Sequence, residues 1–284
     1  MAGESKRVET MNYFELLAWL GIGSSHPGGF PATKENLEIL SIDSAAYVLD
    51  AGCGSGLTAC YLAKTSGCRI IGIDINPQMI EKASLRAQKE GVAHLVTFQI
   101  ADAANLPFED NLFDWVIGES ITVFLDKVKV YREFYRVLKP KGKAADLEMA
   151  LLSDLPDALR KQMKECFGYE TDPLSYEKWA ATLEEAGFCN VEIKNTQPLK
   201  DNRQVITNEL KKDWILIKDL AGKVSSQPAL LPRLQKNASF TKKYRSYFGY
   251  GLIFGEKPDV QPTKPSFRTW LARIRFWRNI FPFK

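Results

Sequence analysis

Val48-Leu49-Asp50-Ala51-Gly52-Cys53-Gly54-Ser55-Gly56, read with Asp74 22 residues after Gly52, decides the fold. Val48 to Ala51 form a short run of strand type, and the alternating glycines make a turn that opens a helix. Asp74 closes the next such run, Arg69-Ile70-Ile71-Gly72-Ile73-Asp74. A glycine turn after one strand and an acid at the end of the next build a nucleoside-type pocket at the carboxyl ends of parallel strands.

Outward from this stretch, strand and helix patterns alternate. Strands are predicted near 47–51, 69–74, 95–100, 112–118 and 142–148, with helices near 56–65, 77–90 and 126–138. Asn76-Pro77 starts a helix that Gly91 ends, and Pro140-Lys141-Gly142 turns into the fifth strand. A helix over Ser175 to Ala186, a strand over Asn190 to Asn195 and a last strand over Tyr247 to Gly255 follow. The fold class is α/β: a doubly wound, mostly parallel sheet of seven strands. Ahead of it, a helix over Tyr13 to Leu20 leads into a Gly/Ser/Pro-rich segment, Gly21 to Pro31, and then a helix with Thr33 as its N-cap candidate. About 50 residues between the last two strands exceed what the alternation needs. With Trp214-Ile215-Leu216-Ile217 and Leu230-Leu231 they read as a helical cap over the cofactor edge. The units are therefore 1–44 (helices and lid loop), 45–195 (core), 196–246 (cap), 247–256 (last strand) and 257–284 (Pro-rich linker and tail).

The chain has 284 residues, 45% of them hydrophobic, enough for one large domain with additions. Its net charge of +4 is unevenly placed. Lys264, Arg268, Arg273, Arg275, Arg278 and Lys284 put six positive charges in the tail, which leaves the first 263 residues at −2 and argues against a nucleic-acid footprint on the body. Cys53, Cys60, Cys68, Cys166 and Cys189 form no CxxC pair and no metal-ligand spacing, so free thiols in a reducing cytoplasm, and no metal, are expected. No run of signal-peptide or membrane-spanning length occurs.

The glycine spacing argues against a dinucleotide. That fingerprint sets its third glycine three residues after the second so that a pyrophosphate rests on the helix N-terminus. Here the spacing is Gly52-x-Gly54-x-Gly56, and Asp50 stands two residues before it, where a carboxylate repels a pyrophosphate and suits an ammonium group. The stretch resembles motif I of the class I S-adenosylmethionine-dependent methyltransferases. Gly72-Ile73-Asp74-Ile75-Asn76, Gln99-Ile100-Ala101-Asp102-Ala103, Leu106-Pro107-Phe108-Glu109-Asp110-Asn111-Leu112-Phe113-Asp114 and Arg136-Val137-Leu138-Lys139-Pro140-Lys141-Gly142 resemble further motifs of that family, in order, over residues 45 to 195. Lys141 stands where the family's turn has its first glycine. The resemblance implies a Rossmann-like fold, S-adenosylmethionine as cofactor and an enzyme of small molecules, of the branch containing quinone, tocopherol and sterol methyltransferases. It implies that Asp50, Gly52, Gly54 and Gly56 hold the methionine end, Asp74 the ribose, and Asp102 with Ala103 the adenine, with Ile75 a further cofactor-binding residue.

Methyl transfer from a sulfonium is an in-line displacement that needs alignment and exclusion of water, and a base only when the nucleophile holds its proton tightly. Gly118-Glu119-Ser120-Ile121 stands where methyltransferases of amino groups on bases or glutamine carry an Asn/Asp-Pro-Pro-aromatic motif. Glu119, at the end of the fourth strand, faces the methyl group or else caps a helix, and is also a cofactor-binding candidate. His26, one of two histidines, is a general-base candidate or a residue that holds the lid loop; His94 reads as structural. Tyr13 and Phe14 either close over the site or pack the first helix, and Glu148 is a further pocket candidate.

In the tail, Phe267, Trp270, Leu271, Ile274, Trp277 and Phe281 share one helical face, with arginines elsewhere. This suits the surface of an anionic membrane, and equally docking on the body or on a second subunit in a homodimer; nucleic acid is the least favoured partner. Three functions stay open at this point: methylation of a small, lipophilic acceptor by a cytoplasmic enzyme peripheral to a membrane, methylation of a protein or soluble metabolite, and a non-catalytic cofactor-binding scaffold.

Overall fold

A computed structural model describes residues 26–167, 171–199 and 229–259, together with 16, 20, 222, 223 and 225–227. Eight strands form one sheet among these residues: β1 (Tyr47–Ala51), β2 (Arg69–Asp74), β3 (Val96–Ile100), β4 (Phe113–Glu119), β5 (Leu138–Leu151), β6 (Leu174–Ser175), β7 (Cys189–Pro198) and β8 (Phe248–Glu256). The helices are α1 (Gly29–Leu40), α2 (Leu57–Ser66), α3 (Pro77–Glu90), α4 (Lys127–Val137), α5 (Asp157–Phe167), α6 (Tyr176–Glu185) and α7 (Leu230–Tyr244).

Seven strands run in the order β3-β2-β1-β4-β5-β8-β7, and the eighth, the two-residue β6, pairs with the end of β5. β1 to β5 pair in parallel, while β8 lies antiparallel to both β5 and β7. The chain leaves β1 for β2 and β3 on one side, then returns to lay β4 against its other side. That reversal between β1 and β4 is where an open α/β sheet forms a ligand crevice. Alternation along the strands feeds two cores. Val48, Trp115, Ile117, Ala145 and Leu147 pack with α2 residues on one face, and Leu49, Val116, Ala144 and Ala150 pack with Tyr131, Phe134 and Trp179 on the other.

Punctuation that the sequence signalled does its work. Asn76 caps α3, its side chain accepting the Gln78 N–H, Pro77 takes the first helical position, and Gly91 closes the helix in a left-handed conformation. Two motifs clasp each other under β4. Arg136 donates to the Leu106 and Phe108 carbonyls and to Asp110, and Glu133 accepts the Leu106 N–H. Asp114 takes the Tyr47 N–H and the Lys139 ammonium.

Three expectations need correction. The helix expected to begin at Thr33 begins at Gly29, because the Gly29 N–H closes a turn on the His26 carbonyl and Pro31 fits a first helical turn; Thr33 lies inside the helix, fully buried. β5 starts at Leu138, before the expected turn. Pro140-Lys141-Gly142 is a bulge within it, with Lys141 at φ +65 and Lys257 bonded across it. β6 was not anticipated, since two residues leave no period to read. The described part of the inserted region, α7, packs Phe240 with Leu155, Leu159 and Met163 of the α5 region, beside the start of β8. Leu16 and Leu20 are helical and buried. Tyr13, Phe14, Trp214 to Ile217 and the tail face over 267–281 lie outside the described residues. No described helix is long and apolar enough to cross a membrane.

Candidate active site

Three turns meet at the carboxyl ends of β1, β2 and β4. The first is the glycine turn, where Gly52, Gly54 and Gly56 all take left-handed backbone, φ +71, +52 and +75. Gly56 must be glycine twice over, because a Cβ there would meet the Ala83 Cβ and the Phe98 ring at 2.8 Å. A Cβ on Gly52 would strike Ile121. A Cβ on Gly54 would meet nothing within 4 Å, so the turn opens to free space at its centre. The Arg86 guanidinium steadies the turn from α3, donating to the Ser55 carbonyl at 2.9 Å.

The second turn carries Asp74. Its two carboxylate oxygens accept the Gly54 N–H at 3.0 Å and the Asn76 N–H at 2.8 Å, and each keeps a lone pair for another donor. Burial raises its pKa while these two N–H groups lower it. Ile75 beside it is 72% exposed, and Ile100 at the end of β3 is 58% exposed. Asp102 is exposed and accepts the Ala104 N–H at 2.8 Å, whereas the Ala103 methyl is buried in the core.

The third turn follows β4 and brings the two catalytic candidates together. His26 Nε2 lies 3.0 Å from the Thr33 hydroxyl and 3.8 Å from Glu119 Oε2, and Glu119 Oε2 accepts the Thr58 hydroxyl at 2.5 Å. The ring's Nδ1 lies 3.1 Å from the Pro27 carbonyl, which can only accept. The hydrogen therefore belongs on Nδ1, and Nε2 is left as a lone pair facing Thr33 and Glu119. His26 is buried and Glu119 half-buried. A small cavity runs from Glu119 and Thr58 under α1, lined by Thr33, Asn36, Ile117 and Leu147.

Asp50 lies beneath, fully buried, with Oδ2 lacking a hydrogen-bond partner. Burial raises its pKa well above the ordinary value, and the nearby Glu119 and Asp74 charges add to this, against the Ala59 backbone N–H. Three carboxyls around one opening, one of them unsatisfied, suit a ligand that carries positive charge. The unfilled space at Gly54 and the unpartnered Ser55 hydroxyl fit the same occupant.

The Methyltransferase domain family matches residues 42–202, more than half of the chain. The chain belongs to the methyltransferases. It is 31% identical over 245 residues to the uncharacterized methyltransferase YodH of Bacillus subtilis, a match spanning 86% of this chain and 99% of that one. Phosphoethanolamine N-methyltransferase 1 of Arabidopsis thaliana is 31% identical over 172 residues, 60% of this chain and 34% of its own. The solved structure of Haemonchus contortus phosphoethanolamine N-methyltransferase 2 in complex with S-adenosyl-L-methionine shares the fold at a TM-score of 0.65 and 23% identity, over 89% of this chain and 58% of that one. This methyltransferase is an enzyme with S-adenosylmethionine as its cofactor.

Sequence reading named every acid and glycine above but missed their partners. Thr58 looked like an ordinary helix residue and Thr33 like a helix cap, and their hydroxyls gain meaning only beside Glu119 and His26. Ile75 was named with Asp74, whereas Ile100, two residues before Asp102 at the end of β3, was not singled out although it is 58% exposed.

Proposed function

We propose that this methyltransferase transfers a methyl group to a small, uncharged or cationic acceptor, with His26 as the base and Glu119 beside it. Asp50, Gly52, Gly54 and Gly56 hold the methionine end of the cofactor, Asp74 and Ile75 its ribose, and Asp102 with the backbone of Ala103 its adenine. When bound, S-adenosylmethionine supplies an activated methyl group on a sulfonium. Nε2 of His26 takes a proton from an acceptor hydroxyl or amine as that atom attacks, and Glu119 offsets the positive charge then formed on the ring. Nδ1, bonded to the Pro27 carbonyl, fixes the tautomer. Buried Leu147 and Ile117 keep the acceptor end dry.

The observation that carries this reading is the 3.8 Å approach of His26 Nε2 to Glu119 Oε2 at the switch point of the sheet. The acids Asp50, Asp74 and Glu119 disfavour an anionic group near the methyl. Relatives named for phosphoethanolamine support a small acceptor, and the imidazole favours one that must lose a proton. Radiolabelled cofactor turned over against hydroxyl- and amine-bearing acceptors tests it. His26→Ala should lower kcat by 100-fold or more, and an unchanged kcat would remove His26 from the chemistry. Residues 196–246 serve as a cap, supported by α7 at the carboxyl end of β5. The same reading has the enzyme work in the cytoplasm at an anionic membrane surface, where a lipophilic acceptor would be met; the acid-free, Trp- and Arg-bearing sequence of the tail over 267–284 supports it.

A further inference from the structure

Asp146 and Glu148 point to the opposite face of β5 from Ala145 and Leu147, and both are fully buried. Neither belongs to the pocket above. Glu148 Oε1 accepts the Thr122 N–H at 2.7 Å and the Val123 N–H at 3.2 Å, while its Oε2 is buried without a partner. Asp146 Oδ2 accepts the Tyr131 hydroxyl at 3.0 Å.

What Glu148 grips is a tight turn, Thr122–Phe124, that begins three residues after Glu119. Between them Ser120 is forced to φ +55, a left-handed conformation that L side chains rarely adopt. Such backbone persists only where its surroundings over-determine it. Ser120 is held from one side by its N–H on the Leu147 carbonyl at 2.8 Å, and the following turn is held by Glu148. The kink puts Ile121 where a Cβ on Gly52 would stand. The buried carboxyl thus connects through two N–H groups to the residue that covers the glycine turn.

We propose that Glu148 is a positioning residue for methyl transfer, resting on the cofactor pocket inferred above: its carboxyl holds the kink at Ser120, and so seats Ile121 against Gly52 and Glu119 at the methyl end. Burial, and the Asp146 charge two residues away, hold the Glu148 carboxyl well up, against the Val123 and Thr122 N–H groups and Lys127. Tyr131 and Lys127 from α4, Asp146 from β5 and Glu119 from β4 are the titratable groups around this pair among the described residues. Glu148→Gln keeps a carbonyl oxygen for the two N–H groups and cannot ionise.

Calorimetric titration of S-adenosylhomocysteine into the full chain tests the clamp. Glu148→Gln, which keeps an acceptor for both N–H groups, should bind within about threefold of wild type, and Glu148→Ala at least tenfold more weakly. A Glu148→Ala variant that melts earlier yet binds like wild type would show a carboxyl that only stabilises the fold, and a Glu148→Gln variant that binds as weakly as Glu148→Ala would equally overturn the proposal. Should Glu148→Ala fail to fold, Glu148→Asp, one methylene short of the two N–H groups, should show the same loss, and wild-type affinity in it would overturn the proposal. A wild type that binds no S-adenosylhomocysteine fails differently, since it removes the pocket itself.

Discussion

Gly54 and Gly56 share a left-handed backbone but not a neighbourhood, and alanine should fail differently at each. At Gly56 the new methyl meets Ala83 and Phe98 at 2.8 Å, so strain and overpacking together should destabilise the fold by on the order of 3 kcal/mol. At Gly54 only the backbone strain of about 1 kcal/mol applies, because nothing stands within 4 Å. That free space is where the cofactor would lie, so Gly54→Ala should lose at least tenfold in S-adenosylmethionine affinity with a small change in Tm. Thermal unfolding and calorimetry on both variants check the contrast, and equal behaviour would refute it. Asp146 makes a prediction of opposite sign to a surface acid. Burial lifts its carboxyl from the ordinary 3.8 to about 6, so the native state binds more protons than the unfolded chain between those values. Its stabilising share is complete below about pH 4 and is lost as pH rises through 6. Asp146→Asn should therefore gain on wild type in Tm from pH 4 to 7, and parallel Tm curves would contradict the burial argument.

Elements whose residues speak locally were legible in the sequence. The first four strands fall within a residue or two of their expected places, and α3 matches its predicted ends because Asn76, Pro77 and Gly91 each carry a local backbone preference. Where a distant partner decides, local signals mislead. Thr33 looks like a cap, yet its hydroxyl serves His26, and the turn that starts α1 is a backbone bond at Gly29. The start of β5 depends on Lys257 from the far end of β8, whose N–H and carbonyl bond across the bulge. The candidate site divides the same way. Acids and glycines were visible as motifs, whereas the proximity of His26 to Glu119, 93 positions apart, comes only from packing α1 on the sheet. The Arg136 clasp also joins distant motifs. Arg136→Ala frees two carbonyls and two carboxylates, Asp110 and Glu133, and should cost about 2 kcal/mol, read as a lower Tm with unchanged cofactor affinity.

Across the whole molecule, charge separates the roles. Acids converge on the proposed cofactor crevice, while six of the 38 basic residues sit in the last 21 positions with no acid among them. Removing 264–284 should abolish pelleting with anionic liposomes and leave cofactor affinity unchanged; equal pelleting of both forms would end the membrane role of the tail. The carboxyl edge of the sheet organises the rest. β1, β2 and β4 present the acids there, α1 closes one side, and α5 with α7 builds up the edge at β5 and β8. The central claim is that this edge binds S-adenosylmethionine through Asp74. Calorimetry of the cofactor with wild type and Asp74→Ala tests it most directly. Wild type should bind one molecule per chain, and Asp74→Ala, which removes the acceptors of the Gly54 and Asn76 N–H groups, should bind roughly 10- to 100-fold more weakly. No binding by wild type, or equal affinity of the two proteins, would contradict the account.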